Sequence, residues 1–218
     1  MTVVITGANG HLGVNLVRAL IAKGRHTRCL VHVNRQAIEG LDTGIVQGDV
    51  CDLDSLCAAF EGAEVVYHLA ANISIMMSDW PRLEQVNVIG TRNVVDACLR
   101  CGVRRLVHFS SIHALVQEPM CTPVDESRAL VASRGCPPYD RSKAAGEKEV
   151  ERGIKSGLVP TTSVRLPYGQ VGLWRRGRWR DWPSLSGRWP TCCPGPGPTM
   201  PGIKLISRTI RFLRFPAP

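Results

Sequence analysis

The chain has 218 residues, with 27 basic and 18 acidic side chains and a formal net charge of +9. That length can bury a sizeable core and suits one large domain or a domain with a small appendage. Its apolar and charged fractions, 44% and 21%, are those of a globular protein. No apolar stretch reaches bilayer length and Met1-Thr2-Val3 has no signal-peptide layout, so a cytoplasmic chain without a membrane partner is expected.

Apolar runs of strand length alternate with segments of helical period through the first three quarters of the chain. That alternation is the pattern of a parallel sheet covered by helices on both faces. Strands are predicted near 2–6, 27–33, 44–47, 64–69, 104–110 and 161–166. Between the first two, Leu12, Leu16, Val17, Leu20 and Ile21 form an apolar stripe at helical spacing. A longer stripe holds Leu83, Val86, Ile89, Gly90, Val94, Val95 and Cys98. Gly24 and Gly102 stand where helix C-caps belong. Pro137-Pro138 then opens a helix running from Tyr139 through Lys143, Gly146, Val150 and Ile154.

The run Thr6-Gly7-Ala8-Asn9-Gly10-His11-Leu12-Gly13 follows the apolar Val3-Val4-Ile5. A tight glycine turn leaving a buried strand and entering a helix lets a dinucleotide pyrophosphate sit on the helix N-terminus. Far along the chain, Tyr139 and Lys143 put a phenol and an ammonium one helical turn apart on one face. The strand ending at Ser110-Ser111 delivers a serine to the carboxyl edge of the sheet, where ligands gather in this architecture. An asparagine at 87, inside an otherwise apolar stripe, needs hydrogen-bond partners.

The spacing Gly7, Gly10, Gly13 with these later motifs resembles the extended short-chain dehydrogenase/reductase family over residues 1–166. The resemblance implies a doubly wound parallel α/β sheet, a Rossmann fold, with the C-terminal substrate domain largely missing. It implies hydride transfer between a nicotinamide and a ketone or secondary alcohol. Tyr139 would be the proton donor and acceptor, Lys143 would favour the phenolate, Ser111 would hold the substrate oxygen and Asn87 would support the network. Ser111 is favoured over Ser110 by the residues that follow, Ile112-His113-Ala114-Leu115, although Val116-Gln117 depart from the family pattern.

The same resemblance assigns the cofactor to the glycine turn (Gly7, Asn9, Gly10, His11, Leu12, Gly13), to Asp49-Val50 beside the adenine, to Leu69-Ala70-Ala71 beside the ribose, and to Tyr139 and Lys143. His68 fits a satisfied strand-end histidine better than a proton carrier. The second strand ends in Cys29-Leu30-Val31-His32-Val33-Asn34-Arg35 without the acid that binds a ribose diol. With Arg28, His32 and Arg35 nearby, NADP is favoured over NAD. Ser110-Ser111-Ile112 and Arg134-Gly135-Cys136-Pro137-Pro138-Tyr139 are most similar to the dihydroflavonol-4-reductase-like and 3β-hydroxysteroid-dehydrogenase-like branch, which implies a hydrophobic small-molecule substrate. The loop Ile73-Ser74-Ile75-Met76-Met77 with Trp80 either lines such a pocket or packs as a buried loop. The alternatives are a nucleotide-sugar epimerase or dehydratase and, from another class, an inactive cofactor-binding fragment. A homodimer through the helices near 82–101 and 139–156 is a further implication.

The cysteines number nine, odd and without framework spacing, as expected of reduced thiols. Cys98 and Cys101 have metal-ligand spacing but no second pair, so no metal site is expected. Composition changes abruptly near 166. Residues 1–166 hold 18 basic and 17 acidic side chains, whereas 167–218 hold nine basic side chains and Asp181 alone. The tail's Arg, Pro, Gly, Trp and Cys excess fits an out-of-frame reading of a GC-rich gene, and a disordered segment, better than a nucleic-acid-binding arm.

Overall fold

The computed structural model describes residues 1–74, 76–119, 124–158 and 162–166, and the side chain of Arg165 alone within the last segment. Six parallel strands form one sheet in the order β3-β2-β1-β4-β5-β6. They are β1 (Thr2–Thr6), β2 (His26–Val31), β3 (Gly44–Gln47), β4 (Val65–His68), β5 (Arg105–Ser111) and β6 (Thr162–Leu166). All six lie within two residues of the predicted positions. The helices are α1 (His11–Ile21), α2 (Leu53–Phe60), α3 (Trp80–Leu83), α4 (Gly90–Arg100) and α5 (Pro138–Lys155), with a π-helical stretch at Glu84–Ile89 joining α3 to α4. The order reverses between β1 and β4, the topological switch point at which open α/β sheets bind ligands.

Each face of the sheet buries its own cluster. Val4, Leu30, Val66 and Leu106 pack with Leu56, Phe60, Val94, Val95, Cys98 and Val150 of α2, α4 and α5. Val3, Ile5, Cys29 and Val65 pack with Val17 and Leu20 of α1 and with Ile38. Alternate residues of one strand enter opposite layers, as the period of two requires. Gly24 and Gly102 take φ of 65° and 62°, the left-handed turn that ends a helix without strain.

Three features were not anticipated. Helix α2 starts at Asp52, whose carboxylate accepts from the Asp54 amide at 3.0 Å, an N-cap before a short apolar run. The π stretch shifts the phase of the long stripe, so Asn87 is buried while Val86 and Ile89 are only partly so. Arg28 does not turn to the ligand edge; its guanidinium donates to the carbonyls of Ala59 and Glu61, at 2.7 and 2.8 Å, where it caps the end of α2. No helix among the described residues is long and apolar enough to cross a membrane. The expected tail, 167–218, lies outside the described residues.

Candidate active site

The glycine turn closes on itself through Gly10 N–H donating to Gly7 O at 3.0 Å. Gly7 has φ of 70°, and a Cβ there would lie 2.6 Å from the Ala70 nitrogen. The turn therefore seats directly on the chain leaving β4, where Leu69 N donates to Thr6 O at 3.1 Å. A Cβ on Gly13 would meet Gly7 O at 2.2 Å, so α1 packs against the turn at backbone contact. Gly10 is different: it is exposed, and its Cβ would meet only Gly7 O, at 3.3 Å. No side chain caps α1 and no acid stands in its first turn, which leaves the positive helix end to an anion. A pyrophosphate fits this cradle.

The remaining residues assigned to the cofactor lie around that turn. Asn9 accepts from Ala37 N at 3.0 Å, tying the turn to the loop after β2. His11, Ala71, His32 and Arg35 are exposed, and Leu12 is partly buried. His32 Nε2 lies 3.4 Å from Asp49 Oδ2, across the adjacent ends of β2 and β3. Asp49 also accepts from Cys51 N at 2.9 Å, so it shapes its own turn. Val50 points its side chain into the core, against Gly90, and its carbonyl accepts from Asn93 at 3.1 Å; only its backbone edge faces the site. Without Arg28, the cationic surroundings expected beyond β2 reduce to His32 and Arg35.

At the other half, α5 begins after Pro137 with Pro138 in its first turn, and Tyr139 follows. The Ser111 hydroxyl faces the Tyr139 phenol and acts to lower it, yet burial outweighs this and, with the Asp140 charge, lifts the phenol above its ordinary value. The Lys143 ammonium, 5% exposed, donates to Phe109 O at 2.8 Å. Burial pulls it from 10.5 to about 8, against the favourable field of Glu147. The expected lowering of Tyr139 by Lys143 is thus not met in this arrangement: the ammonium is engaged by a carbonyl and the phenol stays protonated at neutral pH. Ser111 Oγ also accepts from His113 N at 3.2 Å, whereas Ser110 Oγ is buried with no hydrogen-bond partner. The side chain beside the phenol is therefore that of Ser111.

Asn87 ties three elements together. Its amide donates to Asn72 O and Ser142 Oγ, both at 2.9 Å, and its oxygen accepts from Asn72 N at 2.8 Å. The π turn brings it there, as such turns frequently do at functional sites. Gly146 permits the approach, since a Cβ would stand 2.7 Å from Asn87 O.

His68 is fully buried. Thr6 Oγ1 lies 2.7 Å from its Nδ1 and Thr91 Oγ1 lies 3.1 Å from its Nε2, while Thr91 donates to Asn87 O. The donor count closes with a neutral ring protonated at Nε2, in keeping with a value pushed by burial down to about 3. It is a satisfied core histidine.

Sequence reasoning missed the pair His113 and Asp140. The His113 Nδ1 lies 3.3 Å from Asp140 Oδ1, and its ring meets Tyr139 edge-on at 6.2 Å. The helical spacing of Tyr139 and Asp140 gave no signal that a residue beyond Ser111 returns to them. Ile73, Met76 and Met77 are exposed, by 79%, 60% and 63%, so the loop after β4 does not pack as a buried element. Trp80 lies beneath the Arg141 guanidinium, 4.1 Å from its ring centre. A concavity of about 210 Å³ bordered by Trp80, Arg134, Arg141 and Lys148 lies on the far side of α5 from Tyr139 and Lys143, as helical spacing requires.

The sequence profile of the NAD dependent epimerase/dehydratase family matches residues 3–170. Sterol demethylase protein B of Methylococcus capsulatus is 39% identical over 191 residues, covering 86% of this chain and 56% of the relative. The 3 beta-hydroxysteroid dehydrogenase type 7 of Mus musculus is 32% identical over 187 residues, covering 77% and 50%. Among solved structures, a short-chain dehydrogenase/reductase superfamily protein from Agrobacterium tumefaciens with bound NAD superposes with a TM-score of 0.64 at 31% identity, covering 76% of this chain and 48% of that one. The chain spans about half the length of the relatives it matches.

Proposed function

Because the chain belongs to the NAD dependent epimerase/dehydratase family, we propose that it binds a nicotinamide dinucleotide and serves hydride transfer to a hydrophobic ketone, by way of Tyr139, Ser111 and Lys143. The observation that carries this is the convergence of the facing Ser111 and Tyr139 side chains with the buried Lys143 at the carboxyl edge of the sheet that bears the glycine cradle. The nicotinamide supplies the hydride. Ser111 orients the substrate oxygen by a hydrogen bond, and the protonated Tyr139 gives that oxygen its proton. A phenol raised above its ordinary value is protonated at neutral pH, the form from which reduction draws its proton. Asn87 keeps the loop at Asn72 and helix α5 in register around these groups.

NAD is the proposed cofactor. With Arg28 engaged by α2, the argument for a ribose phosphate loses one of its three cations, and the Agrobacterium neighbour holds NAD. The exposed Ile73, Met76 and Met77 and the sterol and steroid names of two relatives support an apolar substrate. A homodimer through α4 and α5 is proposed as well. Isothermal titration with NADH and NADPH tests the cofactor, and reduction of a panel of steroid and flavonoid ketones tests the chemistry, with Tyr139→Phe as the inactive control. Saturable NADH binding and a ketone turnover lost in that control are expected. A folded protein that binds neither dinucleotide refutes the proposal, while binding without any turnover supports the cofactor-binding fragment.

A further inference from the structure

Helix α5 carries Tyr139, Lys143 and Glu147 at successive four-residue steps, hence on one face. Glu147 is 3% exposed, and a carboxylate so placed must be paired to remain charged. Its partner comes from the far edge of the described sheet. Arg165 of β6 donates from Nε to Glu147 Oε1 at 2.9 Å and from Nη2 to Oε2, a two-pronged fork. In the β5–β6 register Arg165 stands beside Ser110 and Leu166 beside Ser111, so the strand that supplies the guanidinium also braces the strand end bearing the candidate serine.

The surroundings of Lys143 contain few charges. On α5 it is flanked by Tyr139 and Glu147. From β5 come the Phe109 carbonyl and His108, and from β4 comes His68. Both histidines are buried and held neutral, so neither offsets nor adds to the ammonium at neutral pH. Beyond Glu147, Arg165 also faces Glu126 and Glu151. Among the described residues Glu147 is the anion that acts on Lys143.

We propose that Glu147 is a positioning residue of this site: anchored by Arg165, its buried carboxylate keeps the Lys143 ammonium charged on the helix face that also carries Tyr139, so that strand β6 completes the charge balance of the active site. This rests on the dinucleotide reading given above. It assigns a role to a pair that touches neither the substrate nor the cofactor.

The five lysines, at 23, 143, 148, 155 and 204, permit a direct test by NMR titration of the full chain labelled with 13Cε-lysine, the Lys143 signal being identified by its loss in Lys143→Arg. The wild-type midpoint is expected at about 8. Glu147→Gln, nearly isosteric, should lower it by about one pH unit. Arg165→Gln should lower it as well, because a buried carboxylate without its guanidinium takes up a proton and its field on Lys143 is lost. Glu147→Asp should return it toward wild type. A lowered midpoint in both glutamine variants, restored in Glu147→Asp, cannot arise from lost packing, which would lower stability and leave the midpoint alone; an unchanged midpoint in the variants overturns the proposal. Should Glu147→Gln fail to fold, the downward shift in Arg165→Gln decides. NADH affinity measured over the same pH range separates the two ideas. Shifted midpoints in a chain that binds no dinucleotide refute the dinucleotide reading alone, whereas dinucleotide binding with unshifted midpoints refutes the role of Glu147.

Discussion

Gly10 and Gly13 lie three residues apart, and their substitution by alanine should fail in opposite ways. At Gly13 the new Cβ would sit 2.2 Å from Gly7 O and within 3 Å of the Ala8 Cα and carbonyl carbon. All three atoms are backbone and none can rotate away. An ordinary carbon–oxygen contact is about 3.3 Å, so α1 must withdraw by roughly 1 Å and carry Val17 and Leu20 out of register with the sheet. Overpacking of this kind costs about 1–3 kcal/mol, which for a chain of this size is a fall of roughly 2–12 °C in Tm. Gly10 has φ of −73°, open to any residue, and its Cβ would meet only Gly7 O at 3.3 Å. Gly10→Ala should therefore melt within about 1 °C of wild type while placing a methyl group where the pyrophosphate approaches, a loss of about 1.4 kcal/mol or more, tenfold in Kd. Thermal melts followed by circular dichroism, with and without NADH at about 100 times Kd, read both effects, since wild type should gain about 2.7 kcal/mol from the ligand. A Gly13→Ala protein as stable as wild type would refute the close packing of α1 on the turn. A Gly10→Ala protein stabilised by NADH as well as wild type would refute the cradle.

The other predictions concern the second half of the site. Ser111→Ala should reduce ketone turnover by about 10²–10³ with substrate KM little changed, and Ser110→Ala should not; equal losses in steady-state kinetics would contradict the placement of Ser111 beside the phenol. Lys143 binds its proton less tightly folded, at about 8, than unfolded, so its burial costs up to about 3 kcal/mol below pH 8, and that cost fades as pH rises from about 8 to 10.5. Lys143→Met should accordingly be the more stable protein at pH 7 in urea melts, with the gap closing toward pH 10; a gap independent of pH would be inconsistent with a charged buried ammonium. Asn87→Ala should strand the Asn72 backbone N–H and C=O, costing about 1–3 kcal/mol for each group left without a partner, while Ser142 keeps its bond to Tyr139 O, and should speed amide hydrogen exchange in the loop around Asn72. Exchange unchanged there would mean that the loop is held by other contacts.

The sheet was readable in the chain because each buried parallel strand is a short, nearly continuous apolar run, and because the glycine turn and the Tyr139–Lys143 spacing are local patterns. Within the site, what proved legible was whatever neighbours in sequence determine: the turn on α1, the paired residues on α5, the serine at the end of β5. What remained hidden is non-local. Arg28 and Arg165 look alike as arginines in strands, yet one caps α2 and the other reaches the buried Glu147, and only the packed structure separates them. Val86 and Ile89 seemed to belong to the buried stripe because a uniform helical period was assumed, and the π stretch breaks that period at Asn87. Helix α2 escaped notice since eight residues give too few turns for a periodic signal.

That π stretch makes the helix between Trp80 and Arg100 intolerant of length changes in a way that no substitution table would reveal. Glu84–Ile89 accommodates the wider turn of a π-helix. Removing one residue between Glu84 and Val86 would let the segment relax to ordinary α geometry; six residues at the wider turn, about 80° each, sweep nearly the same angle as five at about 100°, so Trp80 and the loop before it would keep their phase against Val94, Val95 and Cys98 while the widened turn that carries Asn87 inward was lost. The indole would stay beneath Arg141, but the asparagine that secures the loop at Asn72 would move off its partners, while every hydrophobic residue remained present. The local widening of this helix, and not only its composition, is therefore an inherited part of the site.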